Sequence, residues 1–330
     1  MRRTSALVTV ILLFATIAGC AEKQPTAPVS ETRVLLDTYC TMTIYGAHEP
    51  ALLDEAFKLC AQYEALFGIT VEGGDVWRIN HAMGTPVSVA PQTAEVIRAG
   101  MVYGGISDGM FDITVGRLSA LWDFSGSAYV PSEAELGAVL ASIDYRQVTV
   151  TEDTVQLADP EAWIDLGAIA KGYIADMLAG FLKENGVSGA VIDLGGDVAI
   201  IGEKPDGSPW YIGVRQPFGG RSDLLGIIET GGASVTTSGV YERQFVENGI
   251  IYHHILDPYT GMPVRSDIIG ATIVTESSMT GDALSTIALL AGSERAAGLL
   301  EQAHGFIGAL LILENGELMR IGDINFQEIN

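Results

Sequence analysis

The chain is short of positive charge. Lys and Arg number 18 against 41 Asp and Glu, a formal net charge of −23 over 330 residues. It contains no basic cluster, and a protein that neutralises nucleic-acid phosphates needs clustered Lys and Arg; DNA and RNA are therefore excluded as partners. A phosphorylated small molecule remains open, provided a metal ion brings the missing charge. Cysteine is also scarce, and three residues cannot build a disulfide scaffold. Internal repeats, a second long apolar run and a linker between Glu31 and Asn330 are all lacking. Charged residues make up only 18% of the chain and hydrophobic ones 48%, too apolar for a disordered polyanion and ample for a core. Glycine, by contrast, is abundant at 39 residues, which implies tight turns or close approach of backbone to a ligand.

The N-terminus reads as a targeting segment. Met1-Arg2-Arg3 is basic, and Leu7 to Ala18 is an apolar run of 12, too short to span a bilayer comfortably and the right length for a signal-peptide core. It ends in Ile17-Ala18-Gly19-Cys20, which resembles the lipobox of bacterial lipoproteins, where the Cys is lipidated and becomes the first mature residue. An ordinary signal peptide with an incidental Cys is the alternative. The expected organisation is a signal peptide over 1–19, a polar tether over 20–30 and one domain over 31–330, lipid-anchored through Cys20 at the membrane of a bacterial cell envelope and facing the periplasm or exterior. Losing Arg2 and Arg3 leaves 16 basic side chains against 41 acidic ones, a net −25. Cys40 in a strand-like run and Cys60 in a helical one would either pair in that oxidising compartment or stay as buried thiols.

Periodicity predicts helices over 51–67, 92–107, 166–185, 279–290 and 294–303. Strands are predicted over 190–194, 210–214, 225–229 and 251–256, with a C-terminal hairpin of 306–313 and 317–321 around Asn315-Gly316. Helices and strands interleave without a regular βαβ beat. The fold class is therefore α+β: a single compact domain, in one lobe or two, with mixed or antiparallel sheets flanked by helices.

Several short segments carry chemistry. Asp282 and Thr286 lie four apart on a helix with Ser285 beside them, a hard-oxygen half-site suited to Mg²⁺, although acidic first turns are common for the helix dipole alone. Asp165-Leu-Gly-Ala-Ile-Ala-Lys171-Gly172 opens a helix that Asp165 can cap; Gly167 and Ala168 leave room for a ligand, and Lys171 is a candidate phosphate ligand or a snorkelling surface residue. Thr236-Thr237-Ser238-Gly239 has the composition of a phosphate-binding turn, or of an ordinary one. His254 stands at a strand end ahead of Asp257-Pro258-Tyr259-Thr260-Gly261, either as a group titrating near neutral pH or as a structural histidine, the commoner role of a lone strand-end His. Asp108 to Val115 reads as a helix stop leading into a strand, and Asp193-Leu-Gly-Gly-Asp197 as a strand ending in a glycine turn between two acids.

Together, and in this order, these segments resemble the ApbE family of FAD:protein FMN transferases, from about Leu36 to the C-terminal hairpin. The resemblance implies Mg²⁺-dependent transfer of FMN from FAD to a Ser or Thr hydroxyl of a target flavoprotein, with release of AMP. The implied target is a membrane redox subunit or an exported flavoprotein. By position, the metal ligands fall on the Ala168 carbonyl and on Asp282 and Thr286, with Ser285 adjacent. Flavin and adenine contacts fall on Met42, Met110, Phe111, Asp112, Asp165, Lys171 and Leu256; Thr237, Ser238 and Gly239 belong to the same expected cofactor site. His254 is the expected base and Asp257 the second candidate. One departure is Thr70, where the family often has an aromatic about ten positions before Asn80. It leaves open an FAD pyrophosphatase giving FMN and AMP; a non-enzymatic flavin-binding lipoprotein is a further alternative.

Overall fold

A computed structural model describes residues 27–329 apart from 47, 49, 125, 127, 128 and 221. The predicted signal peptide, Cys20 and most of the tether lie outside these residues. Among the described residues no helix is long and apolar enough to cross a membrane.

The first element is a hairpin of β1 (Val29–Leu35) and β2 (Thr38–Ile44). Its loop, Leu36-Asp37, has φ of 55° at both residues, the paired left-handed geometry that matches strand twist in a two-residue turn. β1 starts two residues inside the segment read as tether, because Val29 and Ser30 pair with Ile44 and Thr43. Polar composition misled the reading: Ser30 and Thr32 hydrogen-bond across the hairpin to Thr43 and Thr41, at 2.8 and 2.9 Å.

Then follow α1 (Ala51–Phe67), α2 (Asp75–Asn80), β3 (Val87–Ser88), α3 (Pro91–Ile106), α4 (Gly116–Trp122), α5 (Glu133–Leu140), β4 (Val148–Val150) and β5 (Thr154–Leu157). α6 (Ala170–Glu184) leads to β6 (Ala190–Leu194), β7 (Asp197–Ile201), β8 (Trp210–Arg215), β9 (Leu224–Thr230), β10 (Ser234–Gly239), β11 (Gln244–Glu247) and β12 (Ile250–His253). β13 (Ile268–Thr275), α7 (Ser278–Ala291), α8 (Ser293–Leu300), β14 (Phe306–Leu313), β15 (Leu318–Gly322) and β16 (Asn325–Glu328) complete the chain.

The centre is an eight-stranded sheet in the order β1-β2-β6-β7-β10-β13-β14-β15, antiparallel at every pairing. α1, α6 and α7 contribute to the main core against it, through residues such as Phe57, Tyr173, Leu178, Leu284 and Ile287. A three-stranded sheet, β16-β9-β8, closes a second core with Val214, Ile228, Val235, Val274, Leu310 and Phe326. A smaller lobe forms where α4 and α5 meet the β11–β12 ribbon: Trp122, Phe124, Phe245 and Tyr252 pack their rings 5.4–6.2 Å apart. Cys40 and Cys60 are both free and buried, thiol against thiol in the main core, and the Cys40 thiol also donates to the Leu35 carbonyl at 3.4 Å.

Three local expectations are corrected. α6 begins at Ala170, not Leu166. Asp165 Oδ1 accepts the Gly167 N–H at 2.8 Å, which closes a turn ahead of the helix, and no side chain caps α6 itself. Thr236 to Gly239 is no turn but the body of β10, between β7 and β13. Asp108 to Val115 forms no strand: Asp108 and Gly109 take φ of 54° and 85°, and Val115 makes a single bridge to Trp163.

Candidate active site

Two helix N-termini converge on one carboxylate. Asp282, in the first turns of α7, is 3% exposed, and its Oδ2 accepts the Gly172 N–H from α6 at 3.0 Å. The Lys171 N–H bonds the same carboxylate. Only glycine allows α6 and α7 to come this close at position 172, since a Cβ there would run into the Ser278 carbonyl. At Gly281, a Cβ would sit 2.8 Å from Thr236 Oγ1 and 2.9 Å from Thr275 Oγ1, so this glycine seats α7 against β10 and β13. The start of α7 is held by Asp176 of α6, which accepts the Ser277 hydroxyl and the Ser278 and Met279 N–H groups at 2.7, 2.8 and 3.0 Å. Tyr103 donates to Thr280 Oγ1 at 2.9 Å.

The donor set is made of hard oxygens. The Ala168 carbonyl lies just ahead of α6, and Thr286 is one turn beyond Asp282 on α7. Among the described residues no three His, Cys, Asp or Glu side chains gather as a metal site. One carboxylate with carbonyl and hydroxyl oxygens fits Mg²⁺, which is held by one or two carboxylates and keeps water or substrate phosphate in its other positions. Ser285 is engaged elsewhere: it donates to the Asp282 carbonyl at 2.8 Å and receives the Ser238 hydroxyl at 2.7 Å, tying β10 to α7. Burial, and then the nearby Asp197 carboxylate, push the Asp282 carboxyl up to about 7, against the pull of the Lys171 charge and the Gly172 and Lys171 N–H groups.

Lys171 is ion-paired with Asp197, which opens β7 and is 1% exposed. Burial disfavours the ammonium, but Asp197 and Asp282 outweigh it, and the Lys171 pKa lies above its ordinary value. His254 is fixed in one tautomer. The Arg243 carbonyl accepts from its backbone N–H at 3.1 Å and from its ring Nδ1 at 3.2 Å. A carbonyl only accepts, so Nδ1 carries the proton and Nε2 is left with a free lone pair. Burial, then the Arg243 charge, push His254 down to about 4, so the ring is neutral near pH 7.

Other expected site residues are occupied structurally. Asp257 holds its own turn, accepting the Tyr259 N–H at 2.8 Å and the Thr260 hydroxyl at 3.0 Å. Asp112 accepts the Thr114 N–H and hydroxyl and the Tyr145 N–H at 2.7, 2.6 and 2.9 Å, and burial raises its pKa. Met42 is fully buried in β2, opposite Ile192, and Phe111 is 3% exposed beside Tyr103. Thr237 bonds Thr272 at 2.9 Å, Gly239 lies beneath the Tyr241 ring, and Leu256 packs into the aromatic lobe. Met110 and Asp257 do come together, lining a cavity of about 190 Å³ with Tyr259, Val264, Leu290 and Arg295. Thr70 is an exposed turn residue. Sequence reasoning gave no role to Asp197, Asp176 or the Arg243 carbonyl; the Asp193–Asp197 motif was the one available signal.

Residues 36–311 match the ApbE family. The chain belongs to the ApbE family. Its relatives include proteins named FAD:protein FMN transferase: one from Klebsiella pneumoniae, 35% identical over 88% of this chain and 90% of its own length, and one from Vibrio cholerae, 30% identical over 90% and 89%. Among solved structures, the ApbE protein of Thermotoga maritima is 32% identical with a TM-score of 0.82, covering 89% of this chain and 97% of its own. The Vibrio cholerae flavin transferase ApbE is 27% identical with a TM-score of 0.78, covering 92% and 97%. The α+β architecture described above is thus the ApbE fold.

Proposed function

We propose that this ApbE-family chain is a transferase that moves the FMN half of FAD onto a Ser or Thr hydroxyl of a target protein, with Mg²⁺ and with AMP as the other product. The observation that carries the reading is the buried Asp282 carboxylate, seated on the Gly172 and Lys171 N–H groups at the start of α6. The names of the relatives support the same activity.

Asp282, Thr286 and the Ala168 carbonyl would hold Mg²⁺. When bound, the ion supplies positive charge against the FAD pyrophosphate, which this acidic chain otherwise has little means to meet. The target hydroxyl attacks the FMN phosphorus. The new P–O bond forms as the bond to the AMP phosphate breaks, and the hydroxyl proton passes to His254 Nε2. The Arg243 carbonyl keeps that nitrogen unprotonated, and Lys171 at the start of α6 is ion-paired with Asp197. The acceptor is proposed to be a redox protein at the same membrane face, reached through a lipid anchor at Cys20.

The test is incubation with FAD, Mg²⁺ and an acceptor domain carrying a Ser or Thr. In-gel flavin fluorescence and AMP release are expected to rise together. AMP release without protein-bound flavin would make the chain an FAD pyrophosphatase instead, and neither signal would refute both readings.

A further inference from the structure

We propose that Asp197 is a positioning residue of this site: by holding the Lys171 ammonium, it keeps that charge off Asp282 and leaves the Asp282 carboxylate free for a divalent cation. The inference rests on the reading of Asp282 as a metal ligand given above.

One ammonium stands between two buried carboxylates. Lys171 interacts electrostatically with both Asp197 and Asp282, yet its Nζ is bonded to Asp197 Oδ2. Asp282 instead receives backbone N–H groups, including that of Lys171 itself. The residue that carries the competing charge is therefore already against Asp282 through its main chain. A buried ammonium without a partner is costly, and the other anion within its field is Asp282. An internal Lys171–Asp282 pair would neutralise the carboxylate that a cation needs.

The fold gives Asp197 little else to do. Gly195 and Gly196, at φ of 73° and 105°, turn β6 into β7, and Asp193 holds that turn by accepting the Gly196 N–H at 2.9 Å. Asp197 follows as the first residue of β7. Among the described residues, its Oδ1 has no partner of ordinary hydrogen-bond geometry, and the Thr236 hydroxyl beside it steadies the carboxylate less than the Lys171 ammonium does, so Lys171 is the main partner of a carboxylate 1% exposed. The two acids of the Asp193–Asp197 motif thus divide the work: the first shapes the turn and the second sequesters the charge.

The test is binding of Mn²⁺ to the full chain without FAD, followed by the loss of the free-ion paramagnetic signal, with thermal melting to establish that each variant is folded. Asp197→Asn is expected to weaken Mn²⁺ binding by about tenfold to a hundredfold, the usual effect of removing a residue that orients a metal ligand. Lys171→Met should bind Mn²⁺ at least as tightly as wild type. The double variant Asp197→Asn/Lys171→Met should recover most of the lost affinity, because no ammonium remains to occupy Asp282. A double variant no better than Asp197→Asn would overturn the inference and make Asp197 either a ligand itself or a purely structural residue. Wild-type affinity in Asp197→Asn would overturn it equally. If Asp282→Ala binds Mn²⁺ as wild type does, the metal-site reading fails and the inference fails with it.

Discussion

Asp282 is one side chain on which two helices depend. Replacing it with Ala leaves the Gly172 N–H without its partner, a loss of about 1–3 kcal/mol, but also relieves a buried anion. Asp282→Ala is therefore expected to stay folded by circular dichroism while flavin transfer drops by roughly a hundredfold or more, as when a preorganised electrostatic group is removed. Transfer at the wild-type rate would refute the assignment. His254 makes a second residue-level prediction. Its imidazole takes up a proton near pH 6.5 in the unfolded chain but only near 4 in the fold. The unfolded state binds more protons in that window, so stability is retained above 6.5 and lost as pH falls towards 4. The melting temperature of His254→Asn should decline less steeply than that of wild type between those values. Its transfer rate should fall by roughly 10²–10⁴-fold, the range expected for loss of a general base.

At the scale of elements, the site depends on how closely α6, α7 and β10 approach. Gly172→Ala would push α6 off the Ser278 carbonyl, at about 1–3 kcal/mol for overpacking, and would displace the N–H that seats Asp282. A lower melting temperature together with weaker Mn²⁺ binding is expected; a change in one without the other would show that this contact does not set the site. The turn carrying Asp257 is anchored by Trp122, whose Nε1 donates to the Gly261 carbonyl at 2.8 Å. Trp122→Phe keeps a ring in the aromatic lobe and loses that bond, for about 1 kcal/mol measurable by denaturant unfolding. The helices were legible because α1, α3, α6, α7 and α8 each bury a periodic apolar stripe. The turn at Leu36-Asp37 was not, since its left-handed geometry falls on residues without the usual Asn-Gly signal. β10 was misread for a related reason: small hydroxyl residues suit turns, but in mid-sheet they let α7 approach and bond across to Thr272 and Ser285.

For the whole molecule, the deficit of Lys and Arg makes cation dependence the sharpest expectation. Chelation of divalent ions should abolish transfer and AMP release together, and restored Mg²⁺ should return both; activity that survives chelation would contradict the mechanism. All the elements that build the site lie within the described residues. A chain beginning at Ala27 is thus expected to transfer flavin to a soluble acceptor at the full-length rate, whereas one beginning at Leu36 loses the edge strand β1 and should melt at a lower temperature.

The sequence by itself determined the fold class, the main helices and the family, because apolar periodicity and short motifs are local in the chain. It also marked Asp282, Thr286, Lys171 and His254, whose residue types already limit their chemistry. Only the tertiary structure decided which of these groups meet. Asp197 and Lys171 are 26 residues apart and Gly172 and Asp282 are 110 apart, and they are neighbours only because the strand order brings β7 and β10 beneath α6 and α7. The same long-range packing set the Tyr145 N–H against Asp112 and buried Met42 in the core, outcomes of surroundings that no local pattern encodes.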